Sequence, residues 1–284
     1  MSRTEHLYSD EHTISEIKST DVITVQENQS LQDIIVQIVT NKISKVFVTN
    51  NSKPVGVISD KDIVRFLYID KSKRDLGEVF ASEIMNGVSF AVDSMNCMQA
   101  AQMMMINKIS SLCIGSKEKL EGIITKSDLV RYYISTCSED AKVSDYMTIS
   151  YFEVPAQAKV HEILKKMIMC DISRVIVTDN NAPIGIITIG DIFRVSLSTN
   201  KLSIVNDSGY SDDALWSETG FVGAQPAGEI MTEGLITVNT NSSMKDAARL
   251  LLDKKIDCLG VKNGNSQLVG ILNKTNVLYA LADR

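Results

Sequence analysis

One phrase recurs four times along these 284 residues: a glycine, two aliphatic or β-branched residues, a small hydroxyl or amide residue, two spacers, then an aspartate or asparagine. It reads Gly56-Val57-Ile58-Ser59-Asp60-Lys61-Asp62, Gly122-Ile123-Ile124-Thr125-Lys126-Ser127-Asp128, Gly185-Ile186-Ile187-Thr188-Ile189-Gly190-Asp191 and Gly270-Ile271-Leu272-Asn273-Lys274-Thr275-Asn276. Internal repetition decides architecture before any local reading, because each unit buries its apolar face only against a neighbour. The glycines stand 66, 63 and 85 residues apart. The fourth unit therefore follows an insertion of about 20 residues, the scale of a long loop with a role of its own. The repeats are read as residues 13–69, 80–136, 143–198 and 226–284, with 199–225, which carries the only tryptophan, as the insertion.

Each repeat opens on a short lead-in with an apolar pair: Ile84-Met85, Tyr146-Met147, Ile230-Met231, and more weakly Ile17-Lys18. A β-branched or aromatic run follows (Val22–Val25 in repeat one, Leu235–Val238 in repeat four), which suits a half-buried strand. Leu31, Ile34, Ile35 and Ile38, and likewise Met244, Ala247, Ala248 and Leu251, lie at the i, i+3, i+4, i+7 spacing of an amphipathic helix. That helix ends at a junction of the type Asn41-Lys42-Ile43-Ser44, repeated at Asn107–Ser110 and echoed by Ile172-Ser173 and Ile256-Asp257. Two strands joined by a polar turn succeed it, and the recurring phrase starts a final helix. The unit is β-α-β-β-α, and the chain an α/β (α+β) protein.

Composition narrows the function classes. A net charge of −6 argues against a nucleic-acid partner, whose backbone demands a basic face. The five cysteines form no Cys-x-x-Cys pair, and the three histidines share no ligand spacing, so neither zinc nor histidine-based catalysis is expected. No run of about 18 apolar residues suggests a membrane span, and the first dozen residues lack a signal-peptide core, so a cytoplasmic location is expected. Met103, Met104 and Met105 read as core filler.

Four β-α-β-β-α units with Gly-h-h-[Ser/Thr]-x-x-Asp opening the last helix resemble cystathionine β-synthase (CBS) domains, over about residues 13–284. The resemblance implies that the repeats pair, one with two and three with four, into two Bateman modules. It extends to the γ subunit of AMP-activated protein kinase and to stand-alone archaeal proteins of that type. It further implies clefts that bind adenosine-containing ligands, with no other cofactor. In these clefts Asp62, Asp128 and Asp191 would hold ribose, and Ser59, Thr125, Ser127, Thr188, Lys45 and Arg174 would hold phosphate. The junction residues Ile43, Ser44, Ile109, Ser110, Ile172 and Ser173 would meet base or phosphate. Physical chemistry supports these roles: a helix N-terminus offers unpaired N–H groups and partial positive charge to an anion, and a carboxylate accepts two vicinal hydroxyls at once.

The same spacing is also a capping box that does no more than start a helix. Repeats two and three carry the fuller set of polar groups. In repeat one Asp60 adds a negative charge beside any phosphate, and in repeat four Asn273 and Asn276 replace hydroxyl and carboxylate, which puts a fourth site in doubt. Since the repeats consume the chain, no room remains for a catalytic domain. The expected protein is a non-enzymatic adenine-nucleotide sensor signalling to a regulated partner protein. Its modules would face each other within one chain or, through module helices, between two in a homodimer. The alternative is an interaction scaffold with vestigial clefts.

Overall fold

The computed structural model describes residues 12–70, 72, 74–137, 141–199 and 224–283. In repeat one, β1 (Thr24–Gln26) precedes α1 (Leu31–Thr40), β2 (Lys45–Asn50) and β3 (Lys53–Ser59) form a hairpin, and α2 (Asp60–Ile69) closes the unit. Strand β1 runs parallel to β2, and β2 antiparallel to β3. Ser30 starts α1 by accepting the Asp33 N–H at 3.2 Å, and the helix buries Leu31, Ile34, Ile35 and Ile38. The hairpin turns on Asn51 and Ser52, whose φ values of 48° and 66° give the twist that two-residue hairpins need.

The other repeats copy this plan. Repeat two holds α3 (Ala81–Ile84), β4 (Phe90–Ala91), α4 (Cys97–Ile106), β5 (Ser111–Ser116), β6 (Lys119–Thr125) and α5 (Lys126–Thr136). Repeat three holds α6 (Val143–Tyr146), β7 (Glu153–Pro155), α7 (Val160–Met169), β8 (Arg174–Asp179), β9 (Ala182–Thr188) and α8 (Ile189–Thr199). Repeat four holds α9 (Ala227–Ile230), β10 (Thr232–Glu233), β11 (Thr237–Asn239), α10 (Met244–Asp253), β12 (Cys258–Lys262), β13 (Leu268–Asn273) and α11 (Lys274–Ala282). Met104 is fully buried, with Met103 and Met105 packed beside it. Most of the insertion, residues 200–223, lies outside the described residues.

After the first long helix of every repeat, one non-glycine residue takes the left-handed conformation: Lys42, Lys108, Asp171 and Lys255, with φ of 53°, 54°, 52° and 53°. The next residue then donates its N–H back to the helix, Ile43 to Ile38, Ile109 to Met104, Ile172 to Met167 and Ile256 to Leu251, at 3.0–3.1 Å. This is a Schellman closure, and it packs the four isoleucines against the cores. The junction is thereby held in one shape in all four copies.

The repeats close a ring in the order one, two, four, three. Repeats one and two meet through β3 and β6, and repeats three and four through Ile176, Cys258 and Ile271 on their sheets. Helices α2 and α8 join repeat one to repeat three, while α11 packs on α4 and α5 to join repeats two and four. One continuous core thus spans repeats one and three, and a second spans two and four. The module helices find their apolar partners inside the chain.

The lead-ins do not stay with their own repeats. Ile14 is buried in the core of repeat two, and Val79, Ala81 and Ile84 in that of repeat one. Val143 enters repeat four, and Ala227 and Ile230 enter repeat three. Each crossing chain pairs antiparallel with the partner's third strand: Ser19 with Ile123, Asn86 with Val57, Thr148 with Ile271 and Thr232 with Ile186. This crossing explains the glycine that heads each phrase. A Cβ on Gly185 would stand 2.6 Å from Met231 Sδ, and one on Gly56 would strike Met85 Sδ.

Candidate functional site

The four recurring phrases all place their polar residues at the mouth of the last helix. The Asp62 Oδ2 atom accepts the Ser59 N–H at 2.8 Å and the Ser59 hydroxyl at 2.5 Å. Asp128 takes the N–H and hydroxyl of Thr125 at 2.8 and 2.6 Å, and Asp191 those of Thr188 at 2.7 and 2.6 Å. Asn276 Oδ1 accepts the Asn273 N–H at 2.7 Å. One acceptor atom of each side chain is therefore occupied in capping, and the next N–H of each carboxylate-bearing repeat is taken by a junction carbonyl, that of Ser44, Ser110 or Ser173.

The second oxygen distinguishes the copies. In repeats two and three it meets only flexible or weak donors: Arg131 at 2.6 Å on Asp128, and Arg194 at 2.5 Å with the Thr232 hydroxyl at 3.3 Å on Asp191. The carboxylates are 15% and 9% exposed but the arginines 65% and 69%, so these are surface ion pairs of about 0–1 kcal/mol that a ligand hydroxyl can displace. Asp62 Oδ1 takes the Asn86 amide at 2.8 Å. The buried Asn276 amide donates to the Tyr146 carbonyl at 2.8 Å and the Thr148 hydroxyl at 3.0 Å, which leaves it no free donor or carboxylate for ribose.

The second N–H of each helix sorts the repeats the same way. Lys61 N–H is taken by Asp60 Oδ1 and Thr275 N–H by Asn273 Oδ1, both at 2.8 Å. Among the described residues the N–H groups of Ser127 and Gly190 have no acceptor. Repeats two and three thus keep an open amide at a helix N-terminus beside a carboxylate, whereas one and four cap themselves.

The mouths of repeats one and three open on a cavity of about 190 Å³, to which repeats two and four add junction residues; its lining includes Lys45, Asp60, Ser110, Arg174, Gly190 and Asp257. Lys45 reaches out of repeat one to the hydroxyls of Ser110 and, at 3.4 Å, Ser111. Burial pulls its ammonium pKa down to about 8, and does the same to Lys126, which donates to Thr275 Oγ1 at 2.8 Å. Arg174 stands at the equivalent junction facing Cys258, and its buried Nε has no hydrogen-bond partner. Burial drives Asp60 the other way, up to about 6. A larger hollow of about 490 Å³, between Gln102, Met105, Tyr146 and Tyr279, contains none of the motif residues.

Sequence reasoning passed over Lys126, Asn86 and Thr232. Lys126 was detectable, because it fills the same slot of the phrase as Asp60; the other two arrive through the lead-in crossing. Among the described residues no cluster of His, Cys, Asp or Glu is placed to hold a metal, and no helix is long and apolar enough to cross a membrane.

The CBS domain model matches residues 14–69, 81–135, 143–198 and 227–283. The chain is 21% identical over 276 residues to the uncharacterized protein MJ1225 of Methanocaldococcus jannaschii, covering 92% of this chain and 95% of that one. The crystal structure of MJ1225, described as a proposed archaeal homologue of γ-AMPK, superposes with a TM-score of 0.81 over 95% of this chain and 100% of the other. An uncharacterized conserved protein from Pyrococcus horikoshii, 18% identical, covers 95% of this chain and 100% of its own with a TM-score of 0.63. With its four β-α-β-β-α units, exchanged lead-ins and recurring helix mouths, the chain belongs to the CBS-domain family.

Proposed function

We infer that this protein is a regulatory, non-catalytic receptor for an adenine nucleotide or related adenosyl ligand, and that it passes the bound state to a partner protein. One observation carries the reading: in repeat three the acceptor-free Gly190 amide and the half-buried Arg174 line one cavity next in the chain to Asp191, whose second oxygen is displaceable, and in repeat two Ser127 and Asp128 repeat the open amide and the displaceable carboxylate. Asp128 and Asp191 then hold ribose, while Ser127 and Gly190 N–H, Lys45 and Arg174 hold phosphate. The Thr125 and Thr188 hydroxyls would join them by rotating away from their carboxylates. The likeness to a protein described as a γ-AMPK homologue accords with this. Signalling follows if the ligand favours one arrangement of the ring over another, since only differential affinity shifts a conformational equilibrium.

The test is a thermal-shift series with adenosine, AMP, ADP, ATP and S-adenosylmethionine. A ligand at 100 times its dissociation constant adds about 2.7 kcal/mol of stability. Asp128→Asn and Asp191→Asn keep the cap, as Asn276 does in repeat four, but remove the carboxylate. Each is expected to leave the melting temperature of the free protein within a few degrees and to abolish the shift from its own cleft. Shifts that survive both substitutions, or no shift with any ligand, would leave capping as the whole role of these residues and favour the scaffold reading.

A further inference from the structure

In repeats one and two the first residue of the phrase's helix points away from its own repeat. Lys126 of repeat two bonds to Thr275 of repeat four, and the equivalent residue of repeat one, Asp60, reaches repeat three. Asp60 Oδ1 accepts the neighbouring Lys61 N–H at 2.8 Å, while Oδ2 lies 3.6 Å from where a Cβ on Gly190 would sit, a point that Thr188 Oγ1 and Arg194 Nη1 approach to 3.6 and 3.5 Å. Gly190 is the repeat-three residue whose N–H has no acceptor. A carboxylate from the neighbouring repeat is thus poised at the helix mouth where a phosphate of a repeat-three ligand would lie, in the cavity lined by Arg174, whose buried Nε has no partner.

We propose that Asp60 is a specificity-determining residue of the repeat-three cleft, selecting adenosyl ligands with little or no negative charge at the 5′ end and rejecting polyphosphates. This rests on the adenosyl-ligand reading above. The charged groups around Asp60 come from several elements: Lys61 and Asp62 on its own helix, Lys45 on β2, Arg174 on β8, Arg194 on α8, and Asp257 at the junction before β12. Burial, helped by Asp257 and Asp62, raises the carboxyl pKa to about 6 against the pull of the Lys61 N–H and Lys45 towards the ionised form. Above that pH the carboxylate repels incoming phosphate, and below it the neutral acid does not.

The experiment uses the full chain carrying Asp128→Asn, which restricts carboxylate-dependent binding to repeat three, with and without Asp60→Asn. Calorimetric titrations with adenosine, AMP and ATP are made at pH 8 and pH 5.5. At pH 8 Asp60→Asn is expected to tighten AMP by about tenfold and ATP by more, while adenosine stays unchanged, as removal of one nearby charge predicts. At pH 5.5 the ratio between the two proteins falls towards one, because the carboxyl and the ligand phosphate both lose charge. Asp60→Ser, which keeps a helix-capping side chain, is expected to give the same pattern. Adenosine binding with unchanged AMP and ATP affinities at pH 8 in both variants would overturn the proposal alone. Absence of binding by any ligand to any variant would overturn it together with the adenosyl-ligand reading.

Discussion

Lys45, Lys126 and Asp60 are held at a cost that a purely structural cavity would not carry. Both ammonium groups have pKa values near 8 against an ordinary 10.5, so between about pH 8 and 10.5 the unfolded chain binds protons that the folded chain has lost. Stability therefore rises with pH across that window, and the penalty is complete below it. Asp60, raised from 3.8 to about 6, acts in the opposite range: stability falls as pH climbs from about 4 to 6. Between pH 6 and 8 all three groups are charged at once, and Asp60 then opposes the anion that the two ammonium groups favour. Lys45→Met should accordingly raise the unfolding free energy by about 1–3 kcal/mol at pH 7, with the gain fading towards pH 10, because a desolvated ammonium is exchanged for an apolar side chain. Denaturant melts at the two pH values check this; a destabilised Lys45→Met at pH 7 contradicts it. The same substitution should weaken AMP while sparing adenosine. The family resemblance pointed to Lys45 and Arg174 as junction cations, whereas the sequence placed the Asp60 charge in repeat one. Its second oxygen lies instead at Gly190, more than a hundred residues away, and no local pattern encodes which helix mouth lies opposite another.

The elements were the most readable part of the chain. The inward faces of α1 and α10 follow from a 3.6-residue period, and the hairpins from alternation and turn residues, all of which are local properties. The junction was visible as a recurring string, but its reason, a left-handed residue closing a Schellman motif with a partly buried isoleucine, emerges only from the backbone. The lead-in pairs were recognised as apolar, and what stayed hidden was that each belongs to its neighbour's core. The glycine of each phrase held the clue, since a strand interior with a repeated glycine marks a close backbone approach. Gly185→Ala tests this: the new methyl group meets Met231 Sδ and, at 2.7 Å, the Thr232 carbonyl, so about 1–3 kcal/mol of stability should be lost. Because the same segment brings Thr232 to Asp191, ligand affinity at repeat three should fall with it, whereas repeat two should bind as before. Equal losses at both clefts would count against the crossing as the local cause.

At the scale of the molecule, sheets join repeats within a module and helices join the modules, so each core is shared by repeats from different modules. Residues 1–137 produced alone would expose the surfaces of α2, α4 and α5 that otherwise pack on the second module. This half should associate with a second copy or aggregate instead of remaining monomeric, and light scattering across a dilution series distinguishes the outcomes. A stable monomer with the full chain's clefts would show that the helical interface contributes little. The exchanged lead-ins set a stricter rule on ancestry. A genetic event that deleted one unit would strand its neighbour's tail and leave a hole where its own had docked, while loss of a sheet-joined couple removes both halves of the trade. Descendants of such a chain can therefore shed or gain these units only in even numbers, and a lineage that inherits three must find the missing strand in another polypeptide.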